Sequence, residues 1–98
     1  MSVQMVIELR EEREAQTVLK ALDAYKQRLK ASIARTRRHL DDFEHRYGVN
    51  TDQFLQTMAA EDLDGGDVEY VEWAGEAQLL DGLVAELTEL EHVQYQLP

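Results

Sequence analysis

The 98-residue sequence predicts an all-α fold, a long antiparallel helical hairpin with a short connecting helix. Three observations lead there. No glycine or proline interrupts residues 11–47. Within that stretch Leu22, Tyr25, Leu29, Ile33, Thr36, Leu40, Phe43 and Tyr47 recur at spacings of three and four, a seam on one face of a helix, with Val18 one turn earlier. After a glycine-containing loop, Trp73, Ala77, Leu80, Val84 and Leu87 repeat the same period.

The elements follow in order. Residues 1–10 form an arm in which Val3, Met5, Ile7 and Leu9 alternate with Gln4 and Glu8. That pattern suits a short β-strand, which needs a mate, or equally an early helical turn. Residues 11–47 make the first long helix, about 54 Å of rod at 1.5 Å per residue. Gly48 supplies its left-handed C-terminal residue. Asn50, with Gln53 three residues on, opens a short helix over 51–60 that turns Phe54, Leu55 and Met58 inward. Residues 61–67 are an acidic loop in which Asp67 is placed to cap the second long helix, 68–94. Residues 95–98 are a tail. The chain is expected to be one domain.

Charge is distributed unevenly. The formal net charge is −10, and all ten Lys and Arg residues lie at or before Arg46. Residues 48–98 hold twelve carboxylates and no Lys or Arg. Such a half-chain repels itself unless it lies beside cations, so it is expected to fold back on the first half. The surplus acidity disfavours nucleic acid and anionic lipid and favours a basic protein partner. The arginines and lysines of 26–38 ring their helix in no single stripe, which argues against a nucleic-acid footprint. Lys26, Lys30 and Arg37 fall beside the seam, placed to meet Glu69, Glu76 or Glu91.

Chemistry-bearing motifs are sparse. With no cysteine there is no disulfide, thiolate zinc site or thiol nucleophile. Asp42-x-x-His45 and Glu89-x-x-His92 have the spacing of di-iron bundle ligands, but an antiparallel hairpin puts them at opposite ends. Counted from Asp62, an EF-hand needs glycine where Asp67 stands and glutamate where Trp73 stands. Ser2 and Ser32 lie in no nucleophile motif. No enzyme activity, metal or cofactor is expected. The opening MSVQMVIELREERE lacks the features of a signal peptide, and no apolar run is long enough to span a bilayer, so the expectation is a soluble cytoplasmic protein.

Two helices alone leave their flanks wet, and Leu19, Leu79, Leu83 and Leu90 widen the apolar stripes beyond one seam. A homodimer forming a four-helix bundle is expected to cover them. The candidate partner or dimer interface is therefore Val3, Met5, Ile7, Leu9, Leu19, Leu79, Leu83 and Leu90. Trp73 belongs to the same set if it anchors a partner, and to the core otherwise.

The run Phe43-Glu44-His45-Arg46-Tyr47-Gly48-Val49, followed by Phe54, Leu63, Asp67, Glu69 and Glu72-Trp73, resembles a family pattern. The family comprises small acidic prokaryotic helical-hairpin proteins, mostly uncharacterised, several encoded beside toxin-like genes. The likeness covers about residues 40–85. Arg46 replaces the more usual lysine, and Glu61-Asp62-Leu63 replaces Gly-Glu-Leu. The resemblance implies a two-helix scaffold and an antitoxin-like role as inhibitor of a basic partner. The alternative is a self-associating structural bundle with no separate target.

Overall fold

The computed structural model describes residues 1–93. Three α-helices and one 3-10 turn follow each other: α1 (Glu12–Tyr47), α2 (Thr51–Thr57), the 3-10 turn Ala60–Asp62, and α3 (Gly66–Glu91). The chain is all-helical, and α1 and α3 pack against each other along their lengths. Tyr47 meets Glu69 at one end, His39 meets Glu76 midway, and Tyr25 meets Glu86 toward the other end. That order makes the pair antiparallel. The acidic helix thus lies beside the basic one.

Helix α1 runs 36 residues without a break. Glu12 and Glu14 stand at its positive end and His45 and Arg46 at its negative end, each sign favourable to the helix dipole. The seam is buried where α3 covers it, at Leu29, Ile33, Thr36 and Leu40. Gly48 stops the helix at φ 67°, a left-handed conformation that strains any side chain with a Cβ, and donates its N–H to Glu44 O.

The turn that follows is built from short-range polar bonds. Glu44 Oε2 accepts the Thr51 N–H at 2.6 Å, and Asn50 Oδ1 accepts the Gln53 N–H at 2.8 Å. The second bond caps α2 in the expected way. Helix α2 is shorter than expected, ending at Thr57, because Met58 turns to extended backbone. A seven-residue helix presents one face, so Phe54 is buried and Met58 half-buried while Leu55 stays 45% exposed. The acidic stretch contains a 3-10 turn, in which Asp62 Oδ2 accepts the Ala59 N–H.

Helix α3 begins two residues earlier than the sequence suggested. Gly65, not Asp67, stands at its N-cap, and Asp67 lies in its first turn. Within the described residues α3 ends at Glu91 rather than 94, and the tail expected over 95–98 lies outside them. Residues 1–9 take neither helix nor strand, and their side chains are exposed. The strand expected there is absent from the single chain for a physical reason, since none of the described residues forms a β-edge for it to pair with.

The core sits at the closed end of the hairpin. Leu40, Phe54, Leu63 and Trp73 are its buried members, with Phe43, Tyr47, Met58, Tyr70, Ala77 and Leu80 packed around them. Trp73 is fully enclosed. Its ring stacks on Phe54 at 3.8 Å between centroids, on Phe43 at 5.1 Å and near Tyr47 at 5.7 Å. Its indole Nε1 donates to Thr51 Oγ1 at 3.1 Å, so burial leaves no orphan donor. One side chain therefore ties α1, α2 and α3 together.

Replacing a buried aromatic by alanine costs on the order of 3–5 kcal/mol. Each kcal/mol moves the midpoint of a domain this size by about 4–8 °C. Trp73→Ala is expected to lower the thermal midpoint by more than about 10 °C, measured by circular dichroism.

Candidate interaction surface

The polar work at the closed end centres on Glu69. This carboxylate is only 8% exposed. Its Oε1 accepts a short hydrogen bond from the Tyr47 hydroxyl, and its Oε2 lies 3.2 Å from Arg46 Nη1. The Tyr47 oxygen in turn accepts the Asp64 N–H at 3.0 Å, and Arg46 reaches Asp64 at 3.8 Å. Glu69 folds back over Gly65 so closely that a Cβ there would sit 2.6 Å from Oε2. The carboxylate could swing aside, but Glu69 Cβ, 2.8 Å from the same point, is fixed to the helix and favours glycine there. The network clamps the start of α3 onto the end of α1, and it uses the loop's acids as structural acceptors.

Charge pairing between the long helices differs from expectation in its partners. Glu69 is held by Arg46, and Glu76 Oε1 lies 3.3 Å from His39 Nδ1, whereas Lys26, Lys30 and Arg37 were expected to meet these acids. The second Glu76 oxygen is buried with no donor. Further along, Tyr25 donates a short hydrogen bond to Glu86, and the Arg28 guanidinium lies 5.8 Å from the centre of the Tyr25 ring.

The expected interface residues fall into three groups. Val3 at 93% and Met5 at 88% exposed stand in solvent, while Ile7 at 57% and Leu9 at 37% are partly covered, on an arm that pairs with no strand among the described residues. Leu19, Leu83 and Leu90 are half-buried and Leu79 is half-exposed, on the part of the hairpin away from the aromatic core. Trp73 is core: with no exposed area it offers nothing to a partner. Val68 and Val71, outside the expected interface, are also strongly exposed on α3. Their signal was position: they lie off the Trp73 stripe near Gly75.

Two concavities lie on opposite flanks of the hairpin. One, about 370 Å³, is bordered by Arg37, Leu40, Asp41, Glu44, Asn50, Thr51 and Asp81 among others and is ringed by charge. The other, about 470 Å³, runs along α3 and is lined by Gly75, Gln78, Leu79, Gly82, Leu83 and Glu86. Its floor is open because Gly75 and Gly82 have nothing within 4 Å of where a Cβ would be. Glu86 joins this groove to Tyr25 and Arg28 of α1.

His45 closes α1 beside the turn, and His92 follows α3 at the far end. Among the described residues no cluster of three or more His, Asp or Glu side chains is placed to hold a metal ion. No described helix is long and apolar enough to cross a membrane. No protein-family profile matches the chain, and neither curated proteins nor solved structures give a significant match.

Partial burial and donation to Glu69 hold the Tyr47 hydroxyl above its usual pKa of 10. Tyr47 is then neutral in the fold where it would ionise in the unfolded chain. Its contribution to stability is complete below pH 10 and is lost as pH rises through the raised value. A thermal-midpoint series from pH 9 to 12 should fall above about pH 10. The fall should be shallower for Tyr47→Phe, which starts less stable at neutral pH because Glu69 loses its donor.

Proposed function

We propose that this chain is a non-enzymatic, acidic protein-binding module, an antitoxin-like inhibitor whose target is a basic protein. The observation that carries the proposal is the exposed apolar arm, in a chain whose returning helix has no lysine or arginine. Met1, Val3, Met5, Val6 and Ile7 are all more than half exposed. Nine extended residues with six large apolar side chains gain nothing from folding alone. Added to the edge of a partner's sheet, the same alternation gives one face to the partner's core and completes its backbone hydrogen bonds.

Charge supplies the partner's sign. Helix α3 carries eight carboxylates and no lysine or arginine. The ion pairs to Arg46 and His39 engage two of them, Glu69 and Glu76. The remaining acids give the module a negative field that speeds encounter with a basic surface and repels nucleic acid. The cytoplasm, where an inhibitor of this kind would meet its target, is the proposed location. A second reading, self-association, is favoured by a separate observation, the area the single chain leaves bare.

Co-expression with the basic products of adjacent genes tests the main reading. A 1:1 complex is expected, weakening as salt rises, in which the partner's activity is inhibited. Deleting residues 1–9 should weaken it at least about tenfold, since the arm supplies its apolar contact. Adjacent basic proteins that neither bind nor are inhibited would overturn the proposal, as would binding indifferent to the arm.

A further inference from the structure

The single chain is too exposed for its mass. Its accessible surface is 7946 Å², whereas a folded monomer of 11.3 kDa presents about 5,700 Å². Its radius of gyration is 19.3 Å, against about 13 Å for a compact chain of this length. Part of the excess, about 2,200 Å², belongs to the arm. Along the hairpin, Leu79 is half-exposed and Leu83, Leu87 and Leu90 are only half-covered. A stable dimer needs about 800 Å² from each partner.

The flank bearing the α3 groove has a particular charge layout. Its α3 side is glycine, leucine and glutamate: Gly75, Leu79, Gly82 and Glu86. Its α1 side is Tyr25 and Arg28, placed there by the Tyr25–Glu86 bond and the Arg28–Tyr25 ring contact. One half of the flank is therefore negative and the other positive. Two copies of α3 brought face to face across this groove would bring Glu86 against Glu86 with no lysine or arginine of α3 between them. Two copies of α1 would oppose arginines. Only α3 against the other copy's α1 matches both signs.

We propose that this flank is a two-fold homodimer interface in which α3 of each chain lies on α1 of the other, the two-fold axis running parallel to the helices. Such an axis exchanges the two halves of the flank and makes the patch self-complementary. It also keeps every residue at its own height. Arg28 lies one turn from Tyr25, which is level with Glu86, so Arg28 of each copy arrives beside Glu86 of the other. Gly75 and Gly82 let the incoming helix approach the α3 backbone. The result is a four-helix bundle with acidic and basic helices alternating around it. This inference does not rest on the basic-protein reading, and a dimer that binds nothing else leaves it standing.

The test is a charge exchange between separate chains, read as molar mass by sedimentation equilibrium. The unmodified chain is expected at twice 11.3 kDa. Arg28→Glu places like charges across both contacts, and so does Glu86→Arg. Each variant alone is expected to dissociate at least about tenfold more readily. Mixed 1:1, every contact becomes Glu opposite Arg, and the dimer should return. Gly82→Gln is a second probe: the single hairpin has room for the side chain, so helix content and Trp73 fluorescence should be kept while the dimer is lost. A monomeric unmodified chain would overturn the proposal. So would a dimer unmoved by these changes, or a mixture that stays as dissociated as its parts.

Discussion

The enclosure of Trp73 is the constraint on which the rest of the structure depends. Phe43 and Tyr47 approach from α1, Phe54 from α2, and Thr51 takes the indole N–H. A rod as long as α1 cannot be held by propensity alone, and most helical stability comes from a packed face. Here that face is packed by stacked rings at one end and by Leu29, Ile33 and Thr36 farther along α1. Once Trp73 is seated, the start of α3 is fixed, Glu69 reaches Tyr47 and Arg46, and the direction in which the acidic helix returns is set.

From that anchor the hairpin loosens with distance. Phe54 and Trp73 are fully buried, yet beyond Trp73 no apolar residue of α3 is. Leu80, Val84 and Leu87 continue the Trp73 stripe but are only half-buried, and Leu79 beside them is half-exposed. A two-helix layer has no second layer to cover its flank, which is why small domains of this shape draw on another chain. The chain's acidity sharpens the point. Electrostatics between exposed charges is screened within about 8–10 Å at ordinary salt. The sign of a partner therefore matters most once surfaces come within that distance, as they would at the α3 groove and the arm.

Much of the fold was legible because it was written in local signals. An uninterrupted seam from Leu22 to Tyr47, the glycine at 48 and the Asn50–Gln53 pair each have one dominant physical consequence, and the helix and turn stand where they indicated. The start of α3 was misplaced because two adjacent features competed. Asp67 is a good capping residue, but Gly65 is needed for Glu69 to fold over it, and that tertiary demand is invisible along the chain. From the sequence, Glu69 is an acid placed for Lys26, Lys30 or Arg37 to meet. It serves as a buried acceptor, a role that exists only after Tyr47 and Arg46 have been brought beside it. The groove was not legible, because the flank that Gly75 and Gly82 share with Glu86 and Tyr25 exists only once the helices are packed.

Residue-resolved amide hydrogen exchange at several protein concentrations tests the central claim most directly. That claim is a hairpin stable in itself around Trp73 and incomplete toward its open end. The amides of 40–47, 54 and 70–77 should be strongly protected at every concentration. Those of 12–25 and 84–91 should be weakly protected in dilute solution and gain protection as concentration rises. Uniform protection along both long helices, independent of concentration, would contradict the account.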